Sequence, residues 1–300
     1  MRMLLAVALC LVLAAGGASA QLAAACPPPG YDRARLDALR AANFEIQDYR
    51  ERRRFARAIA ACVAAPDPVL RDQIGFESLS HILRARQLDD ATQTALVNDL
   101  LPRLESADAN GFERPFAALV LSELVRSDRL NPFLSEVARA DLLTRSLSYF
   151  AGVSDYRGFD ETEGWRHGVA HGSDLLLQFA ASPATQRDDL IRIRNAVALQ
   201  VAPEGHFYIY GESERLARPI LVMAQRGIFT ADEWSAWLTQ ISAPAPLASW
   251  RDAFSSQAGL ARKHNVAAFA YVIWANASLS QDEGVRSLML GAEAALRALP

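Results

Sequence analysis

Apolar residues recur at helical spacing along almost the whole chain, and almost nowhere at the alternating spacing of a strand. In residues 94–104, Leu96, Val97, Leu100, Leu101 and Leu104 make one stripe at the i, i+4, i+8 positions and their flanks. Residues 115–126 repeat the pattern with Phe116, Leu119, Val120 and Leu124, and the C-terminus with Val285, Leu288, Met289, Ala292, Leu296 and Leu299. Further helical patterns cover residues 31–62, 69–87, 135–151, 186–201, 231–241 and 262–277. The stretch 206–210, HFYIY, is the one that reads as extended. Proline and glycine clusters separate the helices: Pro66-Asp67-Pro68, Asp108 to Gly111, Asn131-Pro132, Ser182-Pro183, Pro203-Glu204-Gly205 and Ala243 to Pro246. Pro219 falls inside a helical pattern and is predicted to kink or restart it.

The predicted class is therefore all-α. Corresponding helices are expected to begin near residues 76, 115, 163, 213 and 264, steps of about 40–50 residues that suit two-helix repeats. Such pairs stack as a HEAT-like α-solenoid with a concave face, and an α/α toroid is the alternative. The predicted organisation is a signal peptide over 1–20, an N-terminal helical region over 21–64, a helical-repeat domain over 65–242, and C-terminal helices over 243–300 packed on the same array. At 300 residues, 51% hydrophobic and 22% charged, the chain has ample material for such a core. A net charge of −3 without a basic stripe gives no support to nucleic-acid binding.

Arg2, the apolar run Leu4 to Val12 and the small-x-small triplet Ala18-Ser19-Ala20 read as a secretory signal with a mature start near Gln21. Export, with a periplasmic destination, is the expected localisation, and no later stretch is apolar for long enough to span a bilayer. Leu22-Ala23-Ala24-Ala25 before Cys26 resembles a lipobox, but the leucine lies one position early, so lipid anchoring ranks lower. Cys26 and Cys62 are the two cysteines left after cleavage. A bridge between them would contribute roughly 3–4 kcal/mol by loop closure. The alternative is a buried Cys62 thiol with Cys26 free or lipidated.

Residues 164–179, GWRHGVAHGSDLLLQF, carry the candidate chemistry. Asp160 and Glu163 read as an N-terminal capping pair, so the helix is predicted over about 161–180. On it His167, His171 and Asp174 fall within a sector of about 60°, away from the stripe of Trp165, Val169, Leu176 and Phe179. Gly164, Gly168 and Gly172 each cost about 1 kcal/mol in a helix, which suggests close approach by a neighbouring element. An i, i+4 histidine pair with a nearby carboxylate can ligate zinc, or the carboxylate can orient His171. The protease signature is incomplete, because Gly168 stands where a general-base glutamate would follow the first histidine. Ser173 diverges too far from its neighbours to complete a relay. A structural hydrogen-bond cluster is the plainer outcome. Downstream, His206, Phe207, Tyr208, Tyr210 and Glu212 lie one helical hairpin further on and can return to the same edge; Glu214 and Arg215 read as a surface pair.

These segments resemble a bacterial family grouped as domain of unknown function 2785. The resemblance rests on residues 155–179 and 209–221, with weaker support from 71–88 and 115–130, and spans roughly 65–240. Arg157, Gly158, Gly164, Trp165, His167, Ala170, His171, Asp174, Leu175, Glu214, Arg215 and Leu216 match the family pattern, and Ser173 replaces the usual alanine. The resemblance implies a helical fold and brings no activity, cofactor or substrate with it.

Two readings follow. The first is a non-enzymatic helical-repeat protein binding a peptide, protein or small polar ligand on a concave face. The second is a metal-dependent hydrolase with His167, His171 and Asp174 as zinc ligands and Glu212 or Glu204 as base. A weaker third is a carbohydrate-processing toroid using Asp155, Asp160 or Glu163. The candidate ligand or polar cluster is Trp165, His167, His171, Asp174, His206 and Glu212.

Overall fold

A computed structural model describes residues 26–300. The signal-peptide reading and the lipobox residues 22–25 lie outside the described residues.

Thirteen α-helices are described. They are α1 (Arg33–Ala41), α2 (Tyr49–Ile59), α3 (Glu77–Arg84), α4 (Asp90–Leu100), α5 (Glu113–Leu130), α6 (Glu136–Ala151), α7 (Gly168–Ala181), α8 (Arg187–Gln200), α9 (Glu212–Gln225), α10 (Ala231–Ile241), α11 (Gln257–Leu279), α12 (Glu283–Arg286) and α13 (Met289–Arg297). Most begin where a short polar side chain accepts from the first free amides: Asp48, Asp89, Ser135, Ser256 and Asp282 each do so. Thr230 and Glu233 form a reciprocal capping box at α10.

The single helix expected over 31–62 is two, broken where Asn43 and Phe44 adopt left-handed backbone. Pro219, expected to kink or restart a helix, lies inside α9, which runs on past it. Residues 206–210 form no ladder; the described strands are β1 (Phe159–Asp160) and β2 (Gly164–Trp165), an antiparallel hairpin pairing Phe159 with Trp165.

Alternate helices pack side by side: α3 on α5, α5 on α7, α7 on α9, α9 on α11 and α11 on α13. The intervening helices form a second set, with α2 on α4 and α6 on α8. One connected apolar core runs through both, from Tyr31 to Ala292, and includes fully buried Phe55, Phe150, Phe179, Trp234 and Phe269. None of these packed pairs joins α1–α4 to α10–α13. Cys26 and Cys62 are joined by a disulfide that ties the start of the described chain to the segment after α2. No helix among the described residues is long and apolar enough to cross a membrane.

Candidate functional site

The expected helix over 161–180 begins seven residues later, at Gly168, and this changes the geometry of the cluster. The Asp160 carboxylate does accept from the amides of Thr162 and Glu163, both at 2.8 Å, as a helix cap would. Those same amides can also close a tight turn. Gly164, at φ +74°, turns the chain back so that Trp165 pairs with Phe159. Arg71 fixes the turn from below. It is fully buried, donates to the Glu163 carbonyl at 2.8 Å and to those of Ala65 and Pro66, and lies 4.1 Å from the Phe112 ring centroid.

His167 is consequently not on the helix but immediately before it, at φ +56° and ψ +41°. This left-handed conformation costs a residue other than glycine about 1–3 kcal/mol. α9 starts in a similar way, from Gly211 at φ +83°, with no capping side chain. The two starts meet: His167 Nε2 lies 3.9 Å from Oε1 of Glu212, the first residue of α9.

Trp165 stacks on His167, with centroids 4.7 Å apart and planes 22° from parallel, and Tyr210 meets Trp165 edge-on. The indole stays 37% exposed and forms the outer wall. Behind His167 lies His171, at 5.9 Å between centroids, itself edge-on to Phe116. Both imidazoles and Glu212 are buried. The Glu212 Oε2 accepts from the Tyr210 amide at 2.9 Å. His167 Nε2, His171 Nδ1 and the Ser213 hydroxyl are buried without a partner.

Burial is the main cause holding His167 down to about 4, with the positive Arg215 adding to it and a hydrogen bond to the Tyr210 backbone opposing. His171 is held well below its ordinary value by burial, then by His167 and Arg215, against a hydrogen bond to the Pro115 backbone. Both rings are therefore neutral near pH 7.

The ligand triad His167, His171 and Asp174 is not assembled. Asp174, on α7, is held by Arg215 of α9 through two hydrogen bonds, one from Nε at 2.9 Å, and Arg218 stands 3.7 Å away. A carboxylate so paired is not free to ligate a metal beside the histidines. Among the described residues no group of three His, Cys, Asp or Glu side chains converges on a metal position, so the donor set does not fit zinc as expected. Arg215, read as a surface partner of Glu214, is instead this cross-helix clamp; burial, then Arg218, lower its pKa to about 10.

His206 belongs to a different stack, lying on Tyr156 at 5.2 Å with Tyr208 edge-on. Asp155 is engaged by Arg157, Glu163 by Arg166, and Asp160 by the hairpin turn, which leaves no free carboxylate pair for sugar chemistry among these three. In the sequence Arg71 shows only as a charge among Leu70, Ile74 and Leu79, inside a helical stripe.

The fold and this centre define an all-helical protein with a buried polar core under an aromatic wall, where two helix starts meet. Residues 100–275 match the profile of the family described as Protein of unknown function (DUF2785). That is more than half of the chain, and the chain belongs to this family. Comparison with curated proteins and with solved structures gives no match.

Proposed function

We propose that the protein is a binding module rather than a hydrolase, and that the cluster of Trp165, His167, His171 and Glu212 forms a recess that takes a peptide, a protein segment or a small polar ligand. The observation that carries this reading is the pair of buried imidazole nitrogens without partners beneath a partly exposed indole. Each such nitrogen costs about 1–3 kcal/mol unless something pairs with it. The left-handed backbone of His167 adds to that cost. Strain and unmet hydrogen bonding at one spot suit a site completed by a ligand. Turnover has no comparable observation behind it, since Asp174, the carboxylate on α7, is held by Arg215.

The array carrying the recess is, in this proposal, an open HEAT-like stack rather than an α/α toroid. Side-by-side packing of alternate helices supports stacking, and the finding that none of the packed pairs among the described residues joins the first four helices to the last four supports an open form. The recess lies on the row α5, α7, α9. Export is part of the same proposal: a disulfide suits an oxidising compartment, and a Cys26 sulfur in that bridge is not available for a lipid thioether.

Panning a random peptide display library on the purified, disulfide-bonded protein tests the binding reading. Selected peptides are expected to lose binding to Trp165→Ala and His167→Asn variants and to come back from incubation uncleaved. Cleaved peptides, or binders indifferent to both substitutions, would overturn it.

A further inference from the structure

Away from the recess, α11 has one side that the fold leaves uncovered. Its buried residues, among them Val266, Phe269, Ala270 and Ile273, pack toward α9, α13 and residues 250–255. On the opposite side Leu260, His264, Ala267, Tyr271, Trp274 and Ser278 follow one another in steps of four, three, four, three and four. At 100° per residue these six fall within a sector of about 80°. A stripe that repeats every seven residues is the seam by which one helix packs along another. None of the six is buried. Two clefts flank the seam and meet at Tyr271. One, of about 550 Å³, is walled by Phe207, Phe254 and Lys263; the other, of about 430 Å³, by Trp274, Met289 and Leu296.

Area and pattern say what covers it. Phe254 is 58% exposed, Tyr271 59% and Trp274 39%. Together they present about 300 Å² of aromatic surface, already the size of the largest apolar patch on an ordinary monomer. From Leu260 to Ser278 the seam is about 27 Å long. A helix laid along it, with side chains in both clefts, buries about 700 Å² on each side, within the range of a small stable dimer. The seam also matches itself. Two copies of α11 set antiparallel, with a two-fold axis at the level of Phe269, bring Ala267 opposite Tyr271 of the second copy, His264 opposite Trp274 and Leu260 opposite Ser278, each contact occurring twice. At the centre a large ring then meets a small methyl, the alternation that lets facing helices interdigitate. Charge does not oppose the pairing. Glu293 and Arg297, on the rim of the second cleft, neutralise each other at 2.6 Å. The two copies of Lys263 stand about 18 Å apart along the axis, well beyond the screening length.

We propose that the protein pairs with a second copy of itself through this seam, α11 lying antiparallel on α11 with Tyr271 of each chain seated over Ala267 of the other. The interface is independent of the recess and of what binds there. Sedimentation equilibrium of the full disulfide-bonded protein is expected to show a reversible monomer–dimer step with a Kd of about 10 μM or tighter. Ala267→Glu puts a carboxylate into each central hole and is expected to weaken the dimer at least about ten-fold. Leu199→Glu removes an equally exposed apolar side chain, 67% accessible on α8, and is expected to leave it unchanged. Circular dichroism and the melting temperature of Ala267→Glu separate a lost interface from a lost fold, and this variant also supplies the monomer on which the shape of a single chain is measured. Register is tested by cross-linking with a short bis-maleimide. A mixture of Leu260→Cys and Ser278→Cys chains is expected to link, whereas Leu260→Cys chains alone are not, because those positions lie about 27 Å apart in the antiparallel pair. A link between two Leu260→Cys chains would show parallel packing and overturn the arrangement. A dimer indifferent to Ala267→Glu overturns the seam. A chain that stays monomeric at ten times the stated concentration overturns the proposal outright, whether or not it then binds lipid vesicles or a foreign helical peptide through Trp274.

Discussion

His167 combines two costs at one residue, a left-handed backbone and a buried ring nitrogen with no partner, and its titration makes the second cost measurable. In the unfolded chain the ring takes a proton near the ordinary 6.5; in the folded chain it does not until about 4, because burial and then Arg215 disfavour the charge. Between those values the unfolded state binds more protons. Stability is therefore complete above about pH 6.5 and falls as the pH drops toward 4. The displacement is about 3 kcal/mol in full, of which about 2 kcal/mol is lost between pH 7.5 and pH 5. His171 shifts in the same direction and adds to the loss. Urea unfolding at the two pH values is expected to show this slope, and His167→Asn to flatten it by about 2 kcal/mol. A variant that keeps the whole slope would show that His167 is not its source. That the two histidines lie near each other was legible in the sequence; the chain path that brings them together was not. Spacing of four implied one helix face, whereas the rings meet because the chain turns at Gly164 and enters α7 from His167.

Helices α6, α7 and α9 show where periodicity suffices and where it fails. The range of α6 was readable because Ser135 caps it and Gly152 ends it, and that of α10 because Thr230 and Glu233 close a box. The start of α7 was not, since an aspartate that accepts from amides two and three residues on serves a turn as well as a cap. The pairing of Asp174 with Arg215 was equally hidden, because it spans two helices and depends on their packing. The glycine reading is confirmed at Gly172, where an added Cβ would lie 2.5 Å from the Phe150 ring. At Gly168 the same atom would make only ordinary contact. Alanine at 172 gains about 1 kcal/mol of helix propensity. It also drives into a fully buried phenyl ring that has nowhere to go. Gly172→Ala is therefore expected to destabilise by a net 1–2 kcal/mol or so in chemical denaturation, and an increase in stability would refute the close packing of α6 on α7. Arg71 acts between elements. Arg71→Met keeps the volume but removes the donor from the carbonyls of Ala65, Pro66 and Glu163 and leaves Asp72 without its partner. A loss of about 3–5 kcal/mol is expected, against less than about 1 kcal/mol if the hairpin does not depend on it.

At the scale of the molecule, the proposed open stack predicts a row with two ends, and among the described residues none of the packed pairs joins α1–α4 to α10–α13. A compact globule of the described length has a radius of gyration of about 19 Å. An open stack is expected to exceed that clearly in small-angle scattering, whereas a closed toroid would stay near it. In a linear array the terminal units have one neighbour instead of two and depend on added restraints. The N-terminal end here has one: the bridge from Cys26 to Cys62, a separation of 36 residues, which fastens the start of the described chain beside α2. Cys62 is fully buried in the core while Cys26 lies at its edge, so Cys26→Ser opens the loop without carving a cavity. Chain entropy for a loop of that length gives an expected loss of about 4 kcal/mol. In a one-dimensional array that loss belongs first to the end that carries the bridge. Hydrogen exchange is accordingly expected to accelerate in α1 and α2 before α7 and α9, with the histidine signals of the recess unchanged. Uniform acceleration along the whole chain would mean that the helices unfold as a single closed unit, and the picture of an open row would have to be abandoned.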